Sequence, residues 1–331
     1  MTIAEIIDRY RIFDVEYYHY FTNHLPMTLI ALFKMGAKEE RLERFASFYI
    51  KRLKKIHRTD FVINHENWKE YLGEHKYFCN YTQFLTDEFD RLGKEEFLTY
   101  YLSDFIKGVA AGAFHALIKT AYAIIIDDKK EIIDAVSYFA ISYLPLIDID
   151  EIDCSYAEPM DILQRIKEDN YFKGQKYTGN NIFEKMKAVS QDSHLKRNIR
   201  RIDDKPDIIS TIAKTVLNIF LNSGSFTALH TVTATHAFRI VLPYLSDRYK
   251  AINYLWIAIC AAYITFYTPS YTRENIFDEQ GLQWEDILKK ASESNNEHVI
   301  KLIYSCHEEN KVYGDPLYIK AAAKESEFPS V

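Results

Sequence analysis

The sequence predicts an all-α protein that forms a single large, bundle-like helical domain over residues 1–331, with a polar helical insertion at about 148–206. Apolar residues recur at helical spacing through most of the chain, and strand signals are nearly absent. Only ten glycines and eight prolines occur in 331 residues. Since these two residues mark turns and loops, their scarcity favours helices. No repeat of 20–50 residues is visible.

The N-terminal third predicts a helical hairpin. MTIAEIIDRYRIF is typical of a short amphipathic helix with charges throughout, and not of a signal peptide. Pro26 suits the first turn of the next helix, with Asn23 or His24 near its cap, and Gly36 suits its end. Residues 37–56 carry mixed charges on one face and predict a second amphipathic helix.

The middle of the chain predicts further helices. A connector from Trp68 to Tyr81 leads into one helix, a turn at Gly93, and one or two helices that include the segment GAFHALIKTAYA, residues 112–123. The segment GVAAGA, residues 108–113, has small side chains that would allow a neighbour to approach closely. One more helix follows and stops before Pro145.

Residues 148–206 are less apolar and predict short helices over the core, with a lid as one interpretation. From Pro206 the helical pattern returns to about Ala323 and is followed by a frayed tail. The segment 254–267, YLWIAICAAYITFY, is too short to span a membrane and predicts a buried core helix.

Composition predicts a cytoplasmic enzyme or binding protein. Of the residues, 48% are apolar and 27% charged, and the formal net charge is −6. Acidic and basic residues are interspersed, without a basic patch, so we expect no nucleic acid and no membrane as partner. The four cysteines lie far apart and predict reduced thiols. The 25 tyrosines and 21 phenylalanines indicate either a nucleotide-composition bias or an aromatic-lined cavity.

Several common catalytic motifs are absent. The sequence contains no G-x-G-x-x-G, G-x-x-x-x-G-K, H-E-x-x-H or G-x-S-x-G pattern. One E-x-x-H pair occurs, Glu16 with His19, whereas a di-iron carboxylate bundle needs two such pairs. We interpret the single pair as a surface or partly buried pair.

Five of the eleven histidines lie in apolar, helix-like segments: His24, His115, His230, His236 and His298. One such histidine alone is usually a core residue that donates to a carbonyl. Five in one all-α chain favour a site where neutral imidazoles bind zinc, copper or iron. The other six fall in polar surroundings and predict solvated side chains.

Spacing separates the candidates. His230 and His236 point about 120° apart on a continuous helix, so both could bind one metal only if the helix breaks between them. We favour His230 and keep His236 as the second choice. His298 and Lys301 share one helix face. Lys301 would either extend to the surface or, carboxylated by carbon dioxide, supply an anionic oxygen ligand.

Four segments in order resemble the questin oxidase-like family of fungal and bacterial proteins. They are NHLPMTLIALFKMGA at residue 23, GAFHALIKTAYA at residue 112, ALHTVTATHAFRIVLP at residue 228 and HVIKLIYSCHEENKVYGDPLYIKAAAK at residue 298. The resemblance spans residues 20–323. It implies an all-helical oxygenase that opens or oxidises aromatic polyketide rings, typically of anthraquinones, by ring cleavage or Baeyer–Villiger-type oxidation.

The resemblance also implies a mononuclear non-haem iron, dioxygen as co-substrate and, for some members, NADPH as external reductant. Carried over by position, the imidazole ligands are His24, His115, His230 and His298, and the carboxylated lysine is Lys301. Met27 and Lys119 depart from the family pattern, and we expect both at the substrate cavity.

The leading hypothesis is therefore a metal-dependent oxygenase. An alternative is a non-catalytic helical protein that binds an aromatic small molecule, for which alanine at His115 or His298 would change neither ligand affinity nor metal content. A helical interaction scaffold is a third hypothesis, and it would require a large exposed apolar stripe on residues 148–206, of which the sequence gives no sign.

Overall fold

The fold is all-α, as predicted. The computed structural model describes residues 2–266 and 281–326, and within them it contains seventeen α-helices and two two-stranded sheets. The helices before the insertion are α1 (Ile3–Asp8), α2 (Leu25–Lys34), α3 (Glu39–Tyr49), α4 (Phe78–Leu92), α5 (Lys94–Phe105), α6 (His115–Ile126) and α7 (Lys129–Ile141). Between α1 and α2, strands β1 (Glu16–Tyr17) and β2 (Phe21–Thr22) pair antiparallel.

The insertion consists of short elements, as the sequence predicts. It contains β3 (Asp153–Tyr156), α8 (Pro159–Glu168), α9 (Asn170–Lys173), α10 (Ile182–Ser190), α11 (Ser193–Asn198) and β4 (Arg200–Arg201), and β3 pairs parallel with β4. Ile162, Ile166, Met186 and Val189 are buried on its helices. The insertion therefore carries apolar faces of its own.

The remaining helices are α12 (Ile208–Ser223), α13 (Phe226–Val241), α14 (Arg248–Phe266), α15 (Trp284–Glu293), α16 (Glu297–Tyr313) and α17 (Leu317–Ser326). The predicted helical pattern up to Ala323 is confirmed for the described residues. The part of it at 267–280, and the tail beyond residue 326, lie outside them.

Helices α6, α13 and α14 form the centre of the molecule. Every residue from Thr227 to Phe238 is buried, and so is every residue from Ala251 to Ala262. A helix that is apolar on all sides needs neighbours on all sides, and α13 contacts α6, α12, α14 and α16. The core helix predicted at 254–267 is thus confirmed as far as Phe266. None of the described helices is both long and apolar enough to cross a membrane.

Three boundaries differ from the prediction. Helix α3 ends at Tyr49, where a short 3-10 turn replaces the predicted continuation to residue 56. Helix α4 begins at Phe78, inside the predicted connector. Helix α6 begins at His115 and not before it, because Ala113 and Phe114 have positive φ angles that are incompatible with a right-handed helix.

The small residues before α6 do allow a close approach, as predicted. A side chain added at Gly108 would overlap the ring of Tyr143, and Val109 forms a bridge with Leu144. The four cysteines, Cys79, Cys154, Cys260 and Cys306, are free thiols, in agreement with the sequence.

Candidate metal centre

Four of the five predicted histidines lie together, although up to 274 positions separate them in sequence. The ring centroids are 4.5 Å apart for His24 and His115, 4.7 Å for His24 and His298, 4.9 Å for His115 and His230, and 5.1 Å for His230 and His298. One nitrogen each from His24, His115 and His298 lies within 4.8 Å of the other two. The helical bundle therefore brings these four side chains into one cluster, called here the histidine cluster.

His24 precedes α2 directly, as the N-cap position predicted from Pro26. Its backbone N–H donates to the Tyr49 hydroxyl at 3.0 Å, and its carbonyl accepts from the Thr28 hydroxyl at 2.9 Å. Both bonds are buried, so the backbone of His24 is fixed between α3 and the first turn of α2. The position of the imidazole at the cluster thus depends on the hydrogen bonds of the His24 backbone at the N-cap of α2.

His115 is the first residue of α6 and follows a left-handed turn. Gly112, Ala113 and Phe114 have φ angles of +56°, +55° and +71°. Left-handed conformations at non-glycine residues are costly and concentrate at functional sites. Here the turn directs the Gly112 carbonyl toward the imidazole of His115. His115 Nδ1 donates a hydrogen bond to this carbonyl at 2.5 Å.

His230 and His298 complete the cluster from α13 and α16. His230 Nδ1 donates to the Phe226 carbonyl at 2.8 Å, and the His298 backbone N–H donates to Asn296 Oδ1, the N-cap of its helix, at 2.9 Å. The Phe226 ring packs edge-on against both imidazoles, at 4.7 Å and 4.6 Å. With 54% of its surface exposed, Phe226 separates the cluster from solvent.

The donor atoms fit a transition-metal ion. Because carbonyls can only accept, His115 and His230 must carry their protons on Nδ1, which leaves each Nε2 lone pair available. This is the tautomer control that metal-binding histidines show. His115 Nε2 and His24 Nδ1 are buried and have no hydrogen-bond partner in the described part of the chain. Buried unpartnered nitrogens are costly unless a ligand meets them.

The protonation state of the four imidazoles also suits a metal ion. Burial, and after it the nearby charge of Lys301, holds the pKa of His24 and of His298 well below the usual 6.5. Burial likewise lowers the pKa of His115, and it lowers that of His230 to about 4. All four rings are therefore neutral at pH 7, the form that binds zinc, copper or iron.

Lys301 lies one turn after His298 and is only 2% exposed, so the reading in which it extends to the surface is wrong. Within residues 2–266 and 281–326, no acceptor hydrogen-bonds to its Nζ. Burial lowers the pKa of Lys301 to about 7, although Glu297 opposes the shift. A neutral amine beside the cluster is the form that can react with carbon dioxide.

Two members of the site are not recognisable from the sequence. Glu297 is buried, and its Oε1 lies 3.8 Å from His24 Nδ1, 4.0 Å from His298 Nδ1 and 3.2 Å from Arg52. It resembles any acidic residue in the first turn of a helix. Phe226, four residues before His230, resembles an ordinary exposed aromatic. Only the tertiary contacts reveal either one.

His236 lies apart from the cluster. Helix α13 continues without a break from Phe226 to Val241, so the condition for its joining His230 is not met. His236 Nδ1 instead contacts Glu309 Oε1 at 2.7 Å, and Arg239 donates to the same oxygen. The second-choice ligand is thus placed in a buried ion-paired group on another side of the helix.

The two residues expected at a substrate cavity differ in placement. Met27 is completely buried in α2. Lys119 is also buried, 3.4 Å from Glu131, and it lines a cavity of about 520 Å³. None of the four clustered histidines lines that cavity.

The remaining histidines do not extend the cluster. Glu16 of the E-x-x-H pair contacts His75 at 2.8 Å and no contact joins it to His19 in the described structure. His75 also stacks on Tyr20, and His194 stacks on Tyr171. The expectation that all six are solvated is therefore wrong for His75 and for His307, whose side chains are each 21% exposed.

The four helices present their N-terminal turns to the cluster. His24 caps α2, His115 begins α6, His298 is the second residue of α16 and His230 the fifth of α13. Helix N-termini carry a partial positive charge and unpaired N–H groups. The surroundings therefore favour an anion beside the imidazoles, such as a carboxylated lysine or an acidic oxygen of a ligand.

The sequence profile of one known family, described as Questin oxidase-like, matches residues 21–306. The match includes all four clustered histidines, His236 and Lys301. No curated protein matches the chain significantly.

Proposed function

The chain belongs to the questin oxidase-like family, and on that premise we propose that it is a metal-dependent oxygenase of aromatic polyketides. His24, His115, His230 and His298 would hold one non-haem iron ion, and Lys301, carboxylated, would supply an oxygen ligand. Family membership implies an oxidoreductase. The observation that carries the metal assignment is the convergence of four neutral imidazoles from four distant helices, two of them with unpartnered buried nitrogens.

Iron bound there would supply the activation of dioxygen, which a closed-shell aromatic molecule cannot achieve alone. The protein's own contribution is positional. The Gly112 and Phe226 carbonyls fix two rings in the metal-binding tautomer, and Phe226 limits the access of water. The first turns of four helices favour the carboxylate of the modified lysine. That modification joins the Nζ amine to carbon dioxide as a carbamate and releases one proton.

The proposed substrate is an anthraquinone-type ring system. One oxygen atom of dioxygen would enter the ring beside a carbonyl, and the other would leave as water after reduction by two electrons. NADPH is the proposed external source of these electrons. This substrate class rests on family membership.

Elemental analysis tests the metal assignment. After anaerobic reconstitution with ferrous iron, we expect about one equivalent of iron in the wild type and less than a tenth in His24→Ala, His115→Ala, His230→Ala and His298→Ala. The matched control is His236→Ala, which removes the same side chain from α13 and leaves Glu309 held by Arg239. It should retain iron. Less than a tenth of an equivalent in the wild type would exclude the metal-dependent reaction.

Carbon NMR tests the modified lysine separately. With ¹³C-labelled bicarbonate, we expect a carbamate resonance in the iron-free protein that is absent from Lys301→Met. The control Lys250→Met removes a half-exposed lysine far along the sequence and should leave the resonance unchanged. Full iron content in Lys301→Met would show that the lysine is no ligand.

If alanine at His115 and at His298 changes neither metal content nor the affinity for an anthraquinone, the non-catalytic binding protein becomes the better description.

A further inference from the structure

The cavity of about 520 Å³ beside α4, α6 and α7 is separate from the histidine cluster. We propose that it is a second binding site, for an apolar aromatic molecule that carries a carboxylate or phenolate oxygen. Its volume is within the range of small-molecule pockets. The proposal does not depend on the metal or on the proposed reaction.

Apolar side chains supply much of the cavity wall. Phe13, Leu25, Leu29, Ile56, Phe78 and Ile133 line it. They come from segments before α2, from α2 itself, from the connector after α3, and from α4 and α7. Such a lining favours the flat or branched apolar body of a ligand.

A buried cation supplies the polar anchor. Lys119 is 4% exposed and lines the cavity, and its one hydrogen-bond partner among the described residues is Glu131, at 3.4 Å. Glu131 is already held more closely by Arg11, at 2.6 Å. The ammonium group has three N–H donors, so two lack a protein acceptor. Because unpaired buried donors are costly, an oxygen of a ligand is the partner that this position favours.

The charges of the residues that line the cavity favour an acidic ligand over a basic one. Five lining residues are cationic and two, Glu131 and Asp134, are carboxylates. Lys129 and Lys130 are paired with Asp90 and Asp8. Arg58 lines the cavity, is exposed, and has no carboxylate partner in the described part of the chain. Arg11 is paired with both carboxylates, so the cations left to meet a ligand are Lys119 inside and Arg58 nearer the solvent.

The cavity borders the two elements that carry His24 and His115. Leu25 and Pro26, which line it, follow His24 directly, and Lys119 lies one turn after His115 on α6. A ligand here would contact the backbone on which the cluster depends without touching its imidazoles.

Calorimetry with 2-naphthoate tests the site. We expect the wild type to bind 2-naphthoate at least tenfold more tightly than 2-naphthylmethylamine, which has the same rings and the opposite charge. Lys119→Met should weaken naphthoate binding at least tenfold, and Arg58→Glu several-fold. Thr86→Trp, which fills the cavity from α4 without changing a charge, should abolish it. If Lys119→Met does not fold, Arg58→Glu and Thr86→Trp test the proposal without it.

Two controls separate this site from the metal centre. His230→Ala should bind naphthoate as the wild type does, and so should Lys250→Met. Equal affinity for the acid and the amine, or wild-type affinity in Thr86→Trp, would overturn the proposal. Loss of binding in His230→Ala would place the naphthoate at the histidine cluster instead.

Discussion

His230 and His236 lie on the same helix, α13, but their imidazoles have different surroundings. Both are almost completely buried, and six residues separate them. His230 donates to a backbone carbonyl and keeps a free lone pair at the cluster. His236 contacts the carboxylate of Glu309. Metal-binding histidines use carbonyls and carboxylates alike as Nδ1 partners, and His236 Nε2 is also buried without a hydrogen-bond partner among the described residues. What separates the candidate ligand from the structural residue is that the His230 ring lies 4.9 Å and 5.1 Å from two other clustered imidazoles.

Glu309 should control part of the acid stability of the protein. Burial alone would raise its pKa, but hydrogen bonds from His236 and Arg239 lower it below the usual 4.5. A lowered carboxyl pKa contributes stability that is present above pH 4.5 and lost as the pH falls through the folded-state value. Glu309→Gln should therefore lower the free energy of unfolding by about 2 kcal/mol at pH 7. The difference from the wild type should shrink below pH 4.

Urea unfolding between pH 7 and pH 3.5 measures this effect. Glu95→Gln, at a side chain that is 75% exposed, is the matched control and should stay near the wild type throughout. A cost in Glu309→Gln that stays constant over the whole pH range would show that the carboxyl has the same pKa in the folded and unfolded states, and a cost that grows as the pH falls would show that folding raises it.

At the scale of single residues, the sequence indicates candidate histidines, four of which lie together in the structure, and it does not indicate their surroundings. Apolar neighbours single out five histidines, His24, His115, His230, His236 and His298, and the helical angle excludes that His230 and His236 both bind one ion on an unbroken helix. Glu297 and Phe226 could not be found in this way, because their roles arise from contacts between helices. The family resemblance, and not the spacing, singles out Lys301 as the modified lysine.

The turn from Gly112 to Phe114 is the element on which the position of His115 depends. The sequence predicts one or two helices here, and because alanine is the best helix former, its composition does not show where a helix would begin. The structure instead has three successive left-handed residues. Propensity could not predict this turn, because tertiary contacts stabilise a conformation that Ala113 and Phe114 disfavour.

Gly112→Ala should disrupt this turn. The new Cβ would lie 2.5 Å from the Tyr138 hydroxyl, which is held by a 2.6 Å hydrogen bond to Thr22. The positive φ alone costs roughly 1–2 kcal/mol for a non-glycine residue. We expect the free energy of unfolding to fall by more than that amount. We also expect iron content to fall, because the Gly112 carbonyl orients His115.

Gly36→Ala is the control for this change. Gly36 also has a positive φ, +87°, but nothing lies within 4 Å of an added Cβ. The free energy of unfolding of this variant should fall by roughly 1–2 kcal/mol, and its iron content should stay at the wild-type level. Similar losses of stability and iron in both variants would show that backbone strain, and not the contact with Tyr138, determines the effect.

At the scale of the whole molecule, the four histidines connect helices from both ends of the chain. Composition and periodicity are sufficient to predict the all-α architecture, because that class depends on local patterns. They do not predict which helices cross at the cluster, which depends on packing. A bound ion would join α2, α6, α13 and α16 and so should stabilise the folded state as a unit.

Thermal unfolding with and without ferrous iron, under anaerobic conditions, measures that stabilisation. A metal that binds only the folded chain contributes about 2.7 kcal/mol when its free concentration is a hundred times the dissociation constant. We expect the melting temperature of the wild type to rise by several degrees. The melting temperature of His115→Ala should be the same with and without ferrous iron. A rise of the same size in that variant would place the stabilising ion elsewhere.

The wide separation of the ligands also has a consequence for biosynthesis. His298 emerges from the ribosome 274 residues after His24, which at ordinary rates of translation takes roughly 15–55 s. Until then the nascent chain can offer at most three of the four imidazoles and lacks the lysine that follows the last one. The complete proposed centre can therefore form only after both His298 and Lys301 have left the ribosome, so the chain translated before that point would not offer the full proposed ligand set.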